Sequence, residues 1–265
     1  MPSDMQVQGA EMFRLENEEY RLKKGIDDSS RTMRIALISD IHSNLEALTK
    51  ALEIIDQQSA ERIVCLGDIV GYGANPNECV ELVRQRCDIV IKGNHEDALL
   101  DINKAEQFTD NARLAILWTL HEITEENLAY IRSLSLLHQN NDALYVHASP
   151  CNPAEWNYIF EEDAAAHTFS CFSESLCFIG HTHMPAIFSI NGYASGITRD
   201  EQYLVNVGSV GQPRDRNTQL SFGLLDTDTW KYENIRAPYD VETTVRKILN
   251  TDLPARLGQR LLMGV

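Results

Sequence analysis

The sequence predicts an α/β domain in which two β-sheets pack together with helices on the outside. Three observations carry that reading. Apolar runs of strand length alternate with helical spacing through residues 34–91, a rhythm that argues parallel pairing. From residue 134 onward short strands follow one another through turns with only two helices between them, which argues a second, mixed sheet. Acidic, amide and imidazole side chains collect just past one strand after another, where ligands of open α/β sheets gather.

Residues 1–32 stand apart: EMFRLENEEYRLKKG is charged and is followed by the polar run DDSSRT. They read as a flexible or alternative-start extension, with a partner-binding arm as the other reading, and the domain proper is expected over 33–265. Residues 34–39 (RIALIS) form the first buried strand. Leu45, Leu48, Leu52 and Ile55 then fall at helical spacing over 44–57. A second strand over 62–66 is closed by Gly67, a helix covers 77–86, and a third strand over 88–91 is closed by Gly93. Two helices fill 109–134, the second opened by Thr124 as N-cap with glutamates behind it. The strands of the second half are expected over 134–139, 143–147, 175–179, 185–190, 202–207, 220–226 and 229–235, with helices over 161–168 and 241–249.

Composition narrows the partners. The hydrophobic share of 43% supports a sizeable core, and 39 acidic against 23 basic residues leave a formal charge of -16. So negative a surface speaks against non-specific nucleic-acid or anionic-membrane binding. It leaves room for a small phosphorylated substrate, because bound cations invert the local sign. No apolar run is long enough for a membrane span, and the opening MPSDMQVQGAEMF lacks the charged start and apolar stretch of a secretory signal. The six cysteines (65, 79, 87, 151, 171, 177) form no CxxC pair and read as reduced thiols in a cytoplasmic protein. The sequence fixes no oligomeric state.

Candidate metal ligands sit at strand ends. Asp40 and His42 follow the first strand in S-D-I-H-S-N, Asp68 the second in L-G-D, and Asn94 and His95 the third in K-G-N-H-E. His147 ends Y-V-H, and His181 and His183 lie in I-G-H-T-H. Each group alone has an ordinary structural explanation. Asp40 and Asp68 suit helix caps, Asn94 after glycine suits a turn, His147 suits a satisfied core histidine, and H-x-H places both rings on one face for packing as well as for metal. Their joint occurrence at five strand ends does not reduce to five accidents. Carboxylate, imidazole and amide oxygen without thiolate favour manganese, iron, zinc or cobalt. Seven donors exceed one tetrahedral site but fit two adjacent sites sharing a carboxylate, and two cations about 3.5–4 Å apart can hold a hydroxide between them.

The ordered series D-x-H, G-D, G-N-H-E, H and G-H-T-H resembles the calcineurin-like metallophosphoesterases. The later N-V-G-S-V-G-Q-P-R-D and S-F-G-L-L-D look like the bacterial and archaeal phosphodiesterase branch, and the resemblance covers roughly residues 33–250. It implies a four-layer α-β-β-α sandwich of two mixed sheets flanked by helices, and hydrolysis of small phosphodiesters or nucleotide phosphoanhydrides with two divalent ions, manganese first among them. Carried over, Asp40, His42 and His183 hold the first metal, Asn94, His147 and His181 the second, and Asp68 bridges. His95 matches the proton donor to the leaving oxygen. Asn44 matches no ligand and reads either as a group that orients the first metal's ligands or as the cap of the following helix, with the cap favoured. A phosphoprotein phosphatase and a non-catalytic scaffold on the same fold are the alternative readings.

Two departures bear on substrate. Protein phosphatases of this fold follow G-D with an Asp-Arg pair, where this chain has Gly71 and Tyr72. Arg214, in Q-P-R-D, is the candidate replacement for the phosphate grip, with a salt bridge to Asp215 as the alternative. Trp156 and Tyr158 fit either an aromatic pocket wall or a surface-packing lid.

Overall fold

In the first strand Ile35 and Leu37 point one way, Ala36 and Ile38 the other, and all four are buried. A strand apolar on both faces must lie between two layers, and a computed structural model, describing residues 33–140 and 142–265, contains both layers. The reading of residues 1–32 lies outside these described residues.

The chain runs β1 (Arg34–Ile38), α1 (Leu45–Gln57), β2 (Arg62–Cys65), α2 (Pro76–Arg86), β3 (Ile89–Val90), α3 (Asn94–Leu100), α4 (Asp110–Glu122) and α5 (Glu125–Ser133). There follow β4 (Leu137–Gln139), β5 (Ala143–Val146), α6 (Glu162–Thr168), β6 (Leu176–Ile179), β7 (Ala186–Ser189), β8 (Gly192–Tyr193) and β9 (Tyr203–Asn206). The last elements are β10 (Leu220–Asp226), β11 (Lys231–Ala237), α7 (Val241–Leu249) and α8 (Ala255–Leu261). One sheet has the order β11-β10-β1-β2-β3 and the other β4-β5-β6-β9-β7-β8. Both are mixed. In the first, β1, β2 and β3 are parallel while β10 and β11 are antiparallel additions. In the second, β5, β6 and β9 are parallel, with antiparallel strands at both edges.

Period-two alternation sorts the side chains into layers. Ile35 and Leu37 meet Tyr145, Phe178 and Val205 in a core between the sheets. Ala36 and Ile38 meet Leu48, Leu52 and Val80 from α1 and α2 outside the first sheet. Leu144, Cys177 and Leu204 meet Ala165 and Phe169 outside the second. The result is the four-layer α-β-β-α sandwich, and every strand expected from the sequence is present: β10 matches to the residue, β4 starts three residues later than expected, β11 is shifted two residues along, and the others are shorter by one residue at one or both ends. Asn44 caps α1 through its side-chain oxygen, which accepts from Ala47 N at 3.1 Å, and Thr124 caps α5 in the same way at 3.2 Å from Asn127 N. Neither Asp40 nor Asp68 is an N-cap residue, although Asp68 Oδ1 accepts from His95 N in the first turn of α3 at 2.9 Å.

Three features depart from the expectations. The segment after Gly93, read as a turn, opens directly into α3, and α8 was not anticipated at all. The third is a correction. Cys151 and Cys171 form a disulfide, so the six cysteines are not all reduced thiols; Cys65, Cys79, Cys87 and Cys177 remain free. The chain between the pair folds back through a 3-10 turn (Pro153–Glu155) and α6 and brings the two Cα atoms to 5.4 Å, within the span of a disulfide. Among the described residues, no helix is long and apolar enough to cross a membrane.

At the end of the chain, α7 and α8 pack through Ile248, Leu253, Leu257 and Leu261 onto Tyr72 and onto Ala112 and Ala115 of α4. Thr244 of α7 donates to the Asn44 side chain at 3.0 Å, which ties this hairpin to the start of α1.

Candidate metal centre

The parallel strands of both sheets deliver their carboxyl ends to one place. There the loops are hydrogen-bonded to one another as if the sheets continued: Asp40 N donates to Gly67 O (3.1 Å), His42 N to Asp68 O (2.9 Å) and Gly180 N to His147 O (2.9 Å). Gly211 N, beyond β9, donates to Asp40 O at 2.9 Å and so joins the two sheets across the seam. Holding the side chains here costs backbone strain. Asp40, His42, Asp68, His181 and His183 all have positive φ, between 51° and 65°, at about 1–2 kcal/mol for a residue with a Cβ.

All seven expected ligands and His95 converge at this seam. His183 Nε2 stands 3.1 Å from Asp40 Oδ1, and His147 Nε2 stands 3.3 Å from Asp68 Oδ2. His42 Nε2 is 3.7 Å from each of the two carboxylates. The tautomers follow from the other ring nitrogens. Nδ1 of His42 faces Val70 O, Nδ1 of His147 faces Leu66 O, and Nδ1 of His183 faces Gln212 O. A carbonyl only accepts, so each ring carries a proton on Nδ1 and turns its Nε2 inward, the arrangement of metal-bound imidazoles. His42 Nε2 and His183 Nε2 then face each other as two lone pairs 3.1 Å apart, a contact that a cation would relieve.

Charge tells the same story. Burial disfavours the charged form of His42 and His183, and it lowers the His181 pKa to about 3, so these rings are neutral donors at pH 7. Burial would raise Asp40 and Asp68, but His183 beside the first and His147 beside the second hold both carboxyls well below the ordinary range. His147 itself is pushed by burial toward neutrality, yet Asp68 and Asp40 raise it to about 9. A divalent cation held by these residues would take the place of that proton.

The residues fit a pair of cations. Asp40 Oδ1, Asn94 Oδ1, His147 Nε2 and His181 Nε2 are buried with no hydrogen-bond partner, a condition that folded proteins otherwise avoid. The donor atoms fall into the groups Asp40–His42–His183 and Asp68–His147–His181, each with all atoms within 4.8 Å of one another. Asp68 also groups with His42 and His95 and so reaches toward both sets.

The surroundings include residues that the sequence reading missed. Glu96 is fully buried, and its carboxylate accepts four backbone N–H groups: Asp68 and Gly93 on Oε2, each at 2.8 Å, and Ile69 (2.8 Å) and Val70 (3.0 Å) on Oε1. One side chain thus locks the G-D loop to the G-N-H-E loop. Burial and the nearby Asp68 raise its pKa to about 7 against the pull of those N–H groups. Its signal in the sequence was faint, a glutamate three residues after Gly93. Gly71 sits under His95: a Cβ there would stand 2.1 Å from His95 Nδ1, so no carboxylate fits at that position.

A cavity of about 550 Å³ opens over Asp68, Asn94, His95, His181 and His183. Trp156 and Tyr158 line it, which makes them a pocket wall, and Tyr158 stacks on His181 with centroids 3.9 Å apart. Arg214 also lines it and is not paired with Asp215, which is bridged to Arg236 instead. Arg214 bonds the Gln212 side-chain oxygen and lies over the Tyr72 ring, 5.8 Å from its centroid. Arg260 of α8 lies over the same ring at 5.9 Å and lines the same cavity. No pattern in the sequence pointed to it.

A two-sheet sandwich with buried imidazoles and carboxylates at the carboxyl ends of its strands defines the class of metal-dependent hydrolases. Residues 33–230 match the calcineurin-like phosphoesterase superfamily domain, and the chain belongs to that superfamily. It is a phosphoric ester hydrolase, which sets aside the scaffold reading. Over 240 residues it is 41% identical to an uncharacterised protein of Methanocaldococcus jannaschii, covering 87% of this chain and 98% of that protein. The crystal structure of a metallophosphoesterase from Sphaerobacter thermophilus superposes with a TM-score of 0.79 at 36% identity, covering 89% of this chain and 100% of the other. A hypothetical protein from Pyrococcus horikoshii OT3 superposes with a TM-score of 0.73 at 21% identity over 88% of this chain and 99% of its own, a likeness of fold alone.

Glu96→Ala is expected to lower the unfolding free energy by about 3 kcal/mol or more, since each buried donor left unmet costs about 1–3 kcal/mol. Urea unfolding of the two proteins measures it. A variant as stable as the parent would mean that the four N–H groups find other partners.

Proposed function

We propose that the protein hydrolyses small phosphodiesters or nucleotide phosphoanhydrides with two divalent cations, manganese first among them, in the cytoplasm. The observation that carries this reading is the meeting of two sets of buried, unpartnered donors at Asp40 and Asp68. Asp40, His42 and His183 would hold one cation, Asn94, His147 and His181 the other, and Asp68 would bridge. When bound, such a pair activates water for attack and neutralises phosphoryl oxygens as charge develops.

The chain's own residues do the rest. His95 lines the cavity, and its backbone N–H donates to Asp68 Oδ1 at 2.9 Å, which fixes the ring beside the bridging carboxylate. From there it delivers a proton to the leaving oxygen. Burial holds the empty-handed ring low, near 4, and a phosphate anion seated against it favours the protonated form. Arg214 grips a phosphate oxygen from the cavity wall. Where protein phosphatases carry an arginine and an orienting carboxylate, this pocket has Tyr72 and the close-packed Gly71, which supports diesters or anhydrides over phosphoprotein.

Three outcomes are expected. Asp68→Ala should bind fewer than two equivalents of manganese and lose activity, and two full equivalents by metal analysis would refute the bridge. His95→Gln should keep both equivalents yet lose about 10²–10⁴ in rate on an ester with a poor leaving group, and much less on one that leaves as p-nitrophenolate. Equal losses on both esters would remove the proton-donor role. The parent protein should show kcat/KM on diesters or anhydrides about tenfold or more above that on phosphoserine peptides. A preference for the peptides overturns the substrate class.

A further inference from the structure

Tyr72 stands in the sequence where the phosphatase arginine would be, and in space it carries two arginines. The guanidinium groups of Arg214 and Arg260 lie 5.8 and 5.9 Å from the centroid of its ring. The ring itself packs against His42 and His95, with centroids 4.7 and 4.6 Å away, so both charges hang directly beside the candidate metal centre. They reach that wall from different parts of the chain. Arg214 comes from the loop after β9. Arg260 comes from α8, which is held over Tyr72 by Leu257 and Leu261 and lies beyond the residues that match the superfamily domain.

Two guanidinium groups over one ring repel each other. Burial and the Arg214 charge both push the Arg260 pKa downward. Arg214 is bonded to the Gln212 amide oxygen, and Arg260 turns its Nε to an oxygen of the terminal carboxylate at Val265; among the described residues, neither is ion-paired to an acidic side chain. Glu155, the other acid in the cavity lining besides Asp68, accepts from the Asn157 side chain. In a chain with a formal charge of -16, two arginines that line one cavity with no acidic side chain bonded to either are a place kept for an anion.

We infer that Arg260, together with Arg214, forms a second anion subsite for a phosphate adjoining the one that is cut, so that the substrate class is a phosphoanhydride with at least two phosphates. The inference rests on the function proposed above and narrows it. A simple diester carries one negative charge, which the metal centre and one arginine already meet. A second guanidinium is accounted for by a second charged phosphate one anhydride bond away.

The test compares the parent protein with Arg260→Ala, Arg260→Lys and Arg260→Gln at a fixed free manganese concentration. Inorganic pyrophosphate and orthophosphate are titrated by calorimetry, and kinetics are read on a dinucleoside polyphosphate and on bis-p-nitrophenyl phosphate. Arg260→Ala should weaken pyrophosphate about tenfold and orthophosphate at least threefold less. It should raise KM for the polyphosphate about tenfold with kcat nearly kept, and the diester should suffer the smaller loss. The lysine variant should recover part of the pyrophosphate affinity. The glutamine variant keeps the stem of the side chain on Tyr72 and decides the matter if the alanine variant melts early. Equal losses for pyrophosphate and orthophosphate would place Arg260 on the phosphate that is cut, and an unchanged pyrophosphate affinity would remove the subsite; either overturns the inference. Should the parent hydrolyse neither diester nor anhydride, the proposed function fails while the pyrophosphate titration still decides the arginine pair.

Discussion

Two carboxylates buried side by side, with no lysine or arginine to match them among the described residues, are the constraint on which this structure turns. Asp40 and Asp68 are at most 1% exposed, and charge so placed is tolerated only when it is compensated. Compensation comes from imidazoles whose outer nitrogens are tethered to main-chain carbonyls, so that their inner nitrogens cannot turn away. Those carbonyls belong to Leu66, Val70 and Gln212, on loops from both sheets. The carboxylates therefore dictate which loops must meet, and the loops dictate how the sheets join at that end.

The support for this arrangement is polar and local, whereas the cores that hold the sheets are apolar and spread along the strands. Glu96 is the clearest case. It touches no other side chain in its hydrogen bonds, yet it fixes the main chain that carries Asp68, Asn94 and His95. The Tyr72 wall works differently. Its position depends on α7 and α8 packing over α4, so the part of the pocket that selects a substrate rests on the last hydrophobic cluster of the chain rather than on the central sandwich.

These differences explain what could be read from the sequence. Strands buried on both faces leave continuous apolar runs, so β1, β2, β5, β6 and β9 were legible, and so were the ligand types set at their ends. The Asn44 cap was legible because its partner is local. Helix α3 was not, because an asparagine after glycine reads as a turn and its helix is short. Glu96 escaped notice because its partners are backbone atoms, which leave no mark on neighbouring side chains. Arg260 and the Cys151–Cys171 bond share another cause: each becomes meaningful only when segments without a shared motif are brought together by helix packing.

The left-handed backbone under Asp40, His42, Asp68, His181 and His183 gives mutational drift at these positions a direction. Glycine adopts that conformation without steric cost, and asparagine more readily than most residues. In a lineage released from its chemistry, replacements by glycine would relax the loops while deleting the donors, so natural selection for stability alone would erase the site and spare the sandwich. A retired descendant of this protein would be recognised by glycines standing in the ligand positions of an otherwise intact fold, and five acidic or imidazole side chains kept in strained backbone record a selection that stability alone cannot supply.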